Sequence, residues 1–269
     1  MLQNSGYFDK EAYLDRLGLP AGVAVSEEGL EQLHRAHVYS IPFENFDILL
    51  GKRLNLSTEA LFEKLILNPR GGYCFELNGL FLFALLTFGF DARPLMARVH
   101  LTNEPTGREH QFSLVNLNGR QWIADVGFGV NGLRAPIPYE MNRVENQNGQ
   151  AYRLADYGPF GTMLQVEENG KWQNLYSFDL GYVCKSDIEQ ANYYTETNPK
   201  SFLTFTRVAS MPHETGRISL MDFTLRKAFG SSVEVVKLNP GQEYLDALAR
   251  HFGIRINAPY ESLQPVKEN

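Results

Sequence analysis

The sequence predicts an α+β fold in which helices come first, strands follow, and strands and one helix close the chain. Before residue 90 the apolar residues recur at steps of three and four, the spacing of a helix face. After Gly89 the apolar runs become short and are separated by turn signals such as Asn118-Gly119, which is typical of strands joined by hairpins. A last helical stripe near the C-terminus follows further strand-like runs.

Four helices are predicted in the first 90 residues. One begins near Asp9 and is closed by Gly18, and a second takes Ser26 as its N-cap. The third begins at Ser57, and the fourth begins at or near Cys74. The fourth carries apolar residues on nearly every face, which predicts a buried helix.

The strand-like runs that follow suggest a barrel or a strongly curved sheet. They cover residues 95–101, 111–117, 121–126, 151–154, 163–166, 171–176 and 181–184. A helix is expected from Ser186 to about Thr195. Further strands are expected at residues 202–208, 217–225 and 233–236, before a final helix from Gln242 to His251.

Charge and hydropathy argue against two classes of partner. The 269 residues carry a formal net charge of −6 and no long basic stripe, which speaks against nucleic acid. The longest apolar run, residues 79–90, is much shorter than the roughly 20 residues that span a bilayer. The first ten residues, with Asn4, Asp9 and Lys10, hold no apolar signal core. We therefore expect a soluble, cytoplasmic protein without a membrane partner.

The cysteines and histidines do not suggest a metal site. The two cysteines lie 184 − 74 = 110 positions apart and form no CxxC pair, so a disulfide framework or a zinc site is not expected. His34 and His37 lie three residues apart on a helix, but no third ligand is near them in the sequence. Cys184 has no neighbouring glycine before it, and we expect its side chain to pack in the protein without a catalytic role.

Cys74 differs from an ordinary buried cysteine in its setting. Gly71 and Gly72 precede it, and the apolar helix follows, so the thiol sits at a helix N-terminus. Free N–H groups and the helix dipole favour negative charge there, which should lower the pKa of the thiol, while the glycines should let other groups approach the sulfur. The alternative is a structural cysteine in the core.

A base for Cys74 is suggested by the hairpin at Asn118-Gly119. If those two residues form the loop, paired positions sum to 237 and Asp125 faces Phe112. His110 lies on the same strand face as Phe112, so His110 and Asp125 are diagonal neighbours across the hairpin. Asp125 can then orient the ring of His110 toward the thiol. The spacing alone is equally compatible with an alternative, in which Asp125 accepts hydrogen bonds from a loop and His110 is an ordinary residue at the end of a strand.

These residues belong to longer motifs that resemble the arylamine N-acetyltransferase family. The resemblance runs in order from near residue 8 to about residue 230 and weakens toward the C-terminus. The motifs are Pro42-Phe43-Glu44-Asn45, Arg70-Gly71-Gly72-Tyr73-Cys74-Phe75-Glu76-Leu77-Asn78-Gly79-Leu80-Phe81, the segment around His110, Trp122-Ile123-Ala124-Asp125-Val126-Gly127-Phe128-Gly129, and Asn198-Pro199-Lys200-Ser201-Phe202.

The resemblance implies a three-part, cysteine-protease-like acyltransferase fold. A helical bundle at residues 1–90 would carry the cysteine, and a β-barrel at 91–185 would carry the histidine and the aspartate. An interdomain helix at 186–200 would lead to an α/β lid at 201–269. The resemblance also implies a Cys74, His110 and Asp125 triad, in agreement with the hairpin geometry.

The same resemblance implies the substrates and their contacts. The donor would be acetyl-coenzyme A, and the acceptors arylamines, arylhydrazines or arylhydroxylamines. Coenzyme contacts would fall on Thr106, Gly107 and Gly129. The acceptor would lie against aromatic side chains, which suit a flat aromatic amine. These side chains are Phe128, Phe202 and Phe43.

Three other functions are compatible with the same residues. A Cys-His-Asp set also serves thioester or amide hydrolases or transglutaminase-like enzymes, and amide synthases of the same family close macrocycles with it. A binding module with a packed Cys74 would have no catalytic role at all. Free acetate without amide would indicate a hydrolase, and an unreactive Cys74 would indicate the binding module.

Overall fold

The computed structural model describes residues 8–101 and 104–264, so most of the first ten residues, which were used for the signal-peptide argument, lie outside it. The described residues form seven α-helices. They are α1 Lys10–Leu17, α2 Glu27–Ser40, α3 Phe46–Leu49, α4 Thr58–Phe62, α5 Cys74–Phe88, α6 Lys185–Thr197 and α7 Gln242–Phe252. A π-helical turn, Glu63–Leu67, continues α4.

The same residues form two antiparallel sheets. The larger has eight strands in the order β5-β4-β3-β2-β9-β8-β7-β6, and the smaller has five in the order β1-β10-β11-β12-β13. The strands are β1 Phe43–Glu44, β2 Asp91–Val99, β3 Arg108–Leu117, β4 Arg120–Ala124, β5 Ile137–Pro138, β6 Val144–Gln147, β7 Gln150–Asp156, β8 Thr162–Glu168, β9 Lys171–Phe178, β10 Val208–His213, β11 Gly216–Met221, β12 Thr224–Phe229 and β13 Ser232–Lys237.

Local capping explains where the first helices begin and end. The carboxylate of Asp9 accepts hydrogen bonds from two N–H groups of the first turn of α1, and the hydroxyl of Ser26 accepts one from Gly29 at 3.1 Å in α2. Gly18 and Gly89 follow α1 and α5 with φ of 68° and 95°, the left-handed conformation that closes a helix. The four predicted helices of the first 90 residues are therefore confirmed.

The buried helix α5 connects the helical part to the larger sheet. Ten of its side chains are buried, and five of them pack in one apolar cluster with side chains of α1, α2, α4, β3 and β4. Apolar side chains are thus buried on most faces of this helix, as its sequence predicted. Because α5 begins at Cys74, this packing also fixes the position of the thiol.

The Asn118-Gly119 turn forms the predicted hairpin between β3 and β4. Both residues have positive φ, 52° and 77°, as a two-residue hairpin loop requires. Leu117 pairs with Arg120, and the register holds as far as Ser113 opposite Ala124. The register prediction is confirmed, although β4 ends at Ala124, before the predicted residue 126.

Three strand predictions are wrong. Residues 181–184 form no strand; Cys184 is exposed and is the N-cap of α6, so it does not serve packing. Residues 202–204 form a short 3₁₀ helix, and the strand begins only at Val208. The predicted strand 217–225 is a hairpin of β11 and β12, because Asp222 adopts a φ of 50° and reverses the chain. The short strands β1, β5 and β6 were not predicted.

The C-terminal part packs its helix on the smaller sheet. One face of α7 is buried with side chains of β10, β11 and β12 in a separate apolar cluster. Strand β1, from the helical part of the chain, pairs with β10 and so joins the two parts. The three-part fold is present, while the boundaries 1–90, 91–185, 186–200 and 201–269 stay a prediction. Within residues 8–101 and 104–264, no helix is long and apolar enough to cross a bilayer.

Candidate active site

Cys74 is the first residue of α5 and is buried, with 7% of its surface exposed. The helix start is held by Glu76, whose Oε2 accepts a hydrogen bond from the N–H of Tyr73 at 3.1 Å. The thiol donates to the carbonyl of Glu109, with 3.7 Å between sulfur and oxygen. The sulfur therefore lies against the backbone beside His110, on the adjacent strand.

The glycines before Cys74 allow close packing of the backbone. A Cβ on Gly71 would lie 2.1 Å from the carbonyl oxygen of Pro42, so only glycine fits there. We expected Gly71 and Gly72 to let other groups approach the sulfur, but a Cβ on Gly72 would meet the side chain of Glu76. The glycine that lies against Cys74 is Gly127. A Cβ on Gly127 would lie 2.6 Å from Nδ2 of Asn78 and 3.0 Å from the Cα of Cys74, so the absence of a side chain at Gly127 lets the chain after β4 approach Cys74.

Buried ion pairs fix the segment that leads into α5. Arg70 donates to Glu44 at 2.8 Å and to Asp47 at 3.0 Å. Lys64 pairs with Glu76 at 2.6 Å and with Asp47 at 2.8 Å. Burial alone would raise the pKa of Asp47, but the two cations hold it well below its usual range. The acidic side chains of Glu44 and Glu76 are thus members of this buried ion-pair network.

His110 and Asp125 meet across the hairpin. Nε2 of His110 donates to Oδ2 of Asp125 at 2.7 Å, and both residues are almost fully buried, with 2% and 1% of their surfaces exposed. This bond leaves Nδ1 of the ring as the nitrogen available to the thiol. The diagonal relation predicted from the register is therefore present in the structure.

Asp125 is also held by neutral donors. Its Oδ1 accepts from Nδ2 of Asn78 at 2.9 Å and from the N–H of Gly127 at 2.9 Å. Burial alone would raise the pKa of Asp125, but His110 and these donors keep it below its usual range. The carboxylate is consequently charged at neutral pH, as a group that stabilises an imidazolium must be.

The environment of Cys74 acts against a lone thiolate. Burial raises the pKa of the thiol above its usual range, and the charge of Asp125 adds to this rise, while the N–H groups of Gln111 and Phe75 oppose it. The expectation that the helix start lowers the pKa of this thiol is wrong for the protein without substrate. Burial disfavours the charged thiolate more strongly than the N–H groups favour it. A thiolate here needs a positive charge beside it.

Two residues of the site were missed by the sequence analysis as site residues. Asn78 donates to the carbonyl of Gln111 at 2.6 Å and accepts from Val126 at 3.0 Å, so it joins α5 to β3 and to the chain after β4. His34 places Nε2 3.0 Å from the carbonyl oxygen of Asp125. Asn78 could have been predicted from the sequence, because it is a polar residue one helical turn after Cys74. His34 could not, because its contact with Asp125 depends on how α2 packs.

The buried histidines of α2 make stability pH-dependent. Burial lowers the pKa of His34 to about 4 and that of His37 to about 3. The folded state therefore holds both rings neutral, while the unfolded chain binds protons below about pH 6.5. Their contribution to stability is present above pH 6.5 and is lost as the pH falls toward 4.

We therefore expect the melting temperature to fall by at least about 5 °C between pH 7 and pH 5. Differential scanning calorimetry at both pH values measures this fall. In the double variant Tyr13→Phe, His37→Leu the fall should be smaller, because the ring and its 2.9 Å partner are both removed. Tyr13→Phe alone keeps the titrating ring and serves as the control. If the melting temperature of the double variant fell as far as that of the control, His37 would not be a source of the pH dependence.

Aromatic side chains surround the imidazole. The ring of Phe128 meets that of His110 edge to face, with 5.1 Å between centroids. A Cβ on Gly129 would lie 3.7 Å from the ring of Phe43, so Phe43 adjoins the same loop. Phe202 is 48% exposed, and the next residue, Leu203, packs in the cluster that contains Cys74. An aromatic acceptor pocket formed by these phenylalanines stays a prediction.

The residues predicted to contact coenzyme lie at the turn before β3 and at the loop after β4. The hydroxyl of Thr106 accepts from the N–H of Val99 at 3.0 Å and donates to the carbonyl of Gly107 at 2.8 Å. Gly129 has a φ of 85°, which favours glycine. Hydrogen bonds of Thr106 therefore hold the first of these turns. Contact of Thr106, Gly107 and Gly129 with coenzyme stays a prediction. In the described ranges no group of three or more His, Cys, Asp or Glu could hold a metal ion.

Comparison with known proteins identifies the family. A family profile described as N-acetyltransferase matches residues 27–260, most of the chain. The arylamine N-acetyltransferase / N-hydroxyarylamine O-acetyltransferase of Salmonella typhimurium is 38% identical over 91% of this chain and 89% of its own. The chain belongs to the arylamine N-acetyltransferase family. It is an acyltransferase, and human arylamine N-acetyltransferase 1 is a more distant relative, 31% identical over 81% of this chain and 82% of its own.

Solved structures of the family share the fold. The Salmonella typhimurium arylamine N-acetyltransferase superposes with a TM-score of 0.88 at 34% identity and covers 94% of both chains. The Mycobacterium marinum arylamine N-acetyltransferase, solved in complex with CoA, gives a TM-score of 0.87 at 30% identity, with 95% of this chain and 97% of that chain covered. The three-part α+β fold of this acyltransferase is therefore that of its family.

Proposed function

We propose that the protein transfers the acetyl group of acetyl-coenzyme A to arylamines, arylhydrazines or arylhydroxylamines through an acetyl-Cys74 intermediate. The observation that carries the proposal is the buried 2.7 Å bond between His110 and Asp125, beside a thiol at a helix start. The Mycobacterium marinum relative was solved with CoA, and the Salmonella relative is named for acetylation of both arylamines and N-hydroxyarylamines. These names support the donor and the acceptor classes.

In the first half-reaction, Nδ1 of His110 accepts the proton of the Cys74 thiol. The resulting imidazolium is stabilised by Asp125, and it supplies the positive charge that the buried thiolate needs. The thiolate attacks the thioester carbonyl, and the oxyanion is stabilised by N–H groups near the helix start. The carbon–sulfur bond of the donor then breaks, and coenzyme A leaves with the proton held by His110.

In the second half-reaction, the amine attacks the acetyl carbonyl on Cys74. His110 accepts a proton from the amine, directly or through water, and returns it to the Cys74 sulfur as the acetyl–sulfur bond breaks. Burial of the cysteine and the aromatic ring of Phe128 over His110 limit the access of water. This exclusion favours transfer to an aromatic amine over hydrolysis of the intermediate.

The proposed chemistry requires a free thiol. Cys74 and Cys184 are both free, and a reducing location such as the cytoplasm would keep them so. The net charge of −6 speaks against nucleic acid as a further partner. A small aromatic amine and coenzyme A are therefore the partners that we propose.

Intact-mass analysis with acetyl-coenzyme A and no amine tests the proposal. The protein should gain the mass of one acetyl group, and later addition of 4-aminobenzoic acid should remove it and yield the amide. Parallel lines in double-reciprocal initial-rate plots should accompany this result. Release of acetate without amide would instead indicate a hydrolase, and a protein that gains no acetyl group would refute the intermediate.

Truncation of the aromatic side chains should separate the two half-reactions. Phe128→Ala and Phe202→Ala should lower amine-dependent turnover by about 10-fold or more, because each removes apolar contact with a flat acceptor. Single-turnover acetylation of Cys74 should change much less, since the donor is proposed to contact other residues. Rapid-quench acetylation and steady-state amide formation measure the two steps. Equal losses in both steps would remove these residues from the acceptor pocket.

A further inference from the structure

An apolar cavity lies between α5, α6 and the segment that precedes α4. Its volume is about 520 Å³, which is within the range of pockets that hold small molecules. Leu54, Leu56, Phe75, Leu82 and Ile188 contribute apolar walls from three different elements. Two of these side chains, Phe75 and Leu82, are almost fully buried in the protein, so the floor of the cavity reaches the core.

This cavity is distinct from the active site described above. Its lining contains none of Cys74, His110 and Asp125, and none of the three phenylalanines proposed for the acceptor. Phe75 and Gln111 each follow a triad residue in the sequence, but they belong to the neighbouring faces of α5 and β3. A molecule in the cavity would therefore lie behind the triad and would not replace an acceptor.

The side-chain oxygen of Gln111, a residue of the cavity wall, lacks a hydrogen-bond partner among the described residues. Gln111 is 2% exposed, and this Oε1 atom is buried. An unpaired buried amide is costly, so its presence calls for an explanation, and a bound ligand or water molecule would supply the missing hydrogen bond. A half-turn of the amide exchanges its carbonyl and its NH₂ group, so Gln111 can either accept or donate toward a ligand.

The charges at the mouth are neutralised by each other. Arg53 pairs with Glu196 at 3.0 Å, and Lys185 pairs with Glu189 at 3.4 Å. No unbalanced charge is therefore available in this set to attract an anion or a cation. The apolar walls and the paired rim favour a neutral ligand, and the unpaired amide of Gln111 offers it a hydrogen bond.

We propose that this cavity binds a neutral aromatic molecule that carries one amide or hydroxyl group, with that group hydrogen-bonded to Gln111. The aromatic part would lie between Phe75 and the leucine side chains of the walls, where it would be removed from water. The site is additional to the acetyl-transfer site, and its occupation does not require the proposed acetyl-transfer function to be correct.

Binding of acetanilide to the Cys184→Ala protein, alkylated at Cys74 with iodoacetamide, tests the site; Cys184→Ala removes the exposed thiol beside the cavity rim. Alkylation fills the active site, so binding observed by ligand-detected NMR should come from the cavity. Leu56→Trp should weaken this binding at least 10-fold, because the larger ring fills the cavity. Leu56→Ala leaves the cavity open and is the matched control, for which binding should persist. Melting curves establish that each variant is folded.

A second comparison isolates the amide of Gln111. Gln111→Leu should weaken acetanilide binding about 5-fold to 10-fold, as expected for one lost hydrogen bond. Binding of cumene, which is of similar size but has no polar group, should not weaken. The inference would be overturned by the absence of acetanilide binding, by binding that disappears on alkylation and is normal in unalkylated Leu56→Trp, or by equal weakening of both ligands in Gln111→Leu.

Discussion

Replacing Cys74 by alanine should abolish acetylation of the protein by acetyl-coenzyme A and lower amide formation at least about 10⁴-fold. The proposed chemistry has one nucleophile, and the described structure brings no second thiol to His110. Cys184, the other cysteine, is exposed at the start of α6. The change removes only a sulfur atom that is already buried, so the fold should persist.

Cys184→Ala is the matched control for this prediction. It removes an exposed thiol and should leave both the mass gain and the turnover unchanged. Intact-mass spectra of the two variants after incubation with acetyl-coenzyme A distinguish the cysteines directly. If Cys74→Ala still gained an acetyl group, another residue would be the nucleophile. If Cys184→Ala lost it, the assignment of the two cysteines would have to be exchanged.

The sequence predicted the elements whose signals are local. Asp9, Ser26 and Ser57 cap helices where their hydrogen bonds are made within one turn, so their positions could be read from neighbouring residues. The Asn118-Gly119 loop set a register that extends along both strands of its hairpin. The relation of His110 to Asp125 followed from that register because side chains in strands alternate with a period of two.

The sequence did not predict what depends on distant contacts. The short strand β1 exists because Phe43 and Glu44 pair with β10, more than 160 residues away. Residues 202–204 have strand-like composition but form a 3₁₀ helix, and the nearby Asn45 binds the carbonyl of Leu203 at 2.8 Å. Apolar composition alone cannot separate these outcomes.

The pKa of Cys74 illustrates the same limit at the site. The helix start could be predicted from the sequence, and with it the N–H groups that favour a thiolate. The depth of burial could not be predicted, and burial acts more strongly in the opposite direction. In the proposed mechanism the reactivity of Cys74 therefore depends on His110 and Asp125, so loss of the charge of Asp125 should lower turnover.

Asp125→Asn should lower turnover at least about 10²-fold and slow alkylation of Cys74 at neutral pH. The asparagine keeps the volume of the side chain but removes the charge that stabilises the imidazolium of His110. Its NH₂ group can also face the ring or the N–H of Gly127, where the carboxylate now accepts hydrogen bonds. A thiol needs less activation than a hydroxyl, so the loss can be smaller than in serine enzymes.

The loss of activity must be separated from a loss of stability. Asp125 also binds Asn78, so Asp125→Asn can loosen the contact between α5 and the hairpin. Thermal unfolding should be measured with turnover, and alkylation by iodoacetamide should be followed as a function of pH. A role in the triad predicts that the alkylation profile moves to higher pH, because the imidazolium that supports the thiolate is weakened. A stable variant with near-normal turnover and an unchanged alkylation profile would remove Asp125 from the triad and reopen the choice of histidine.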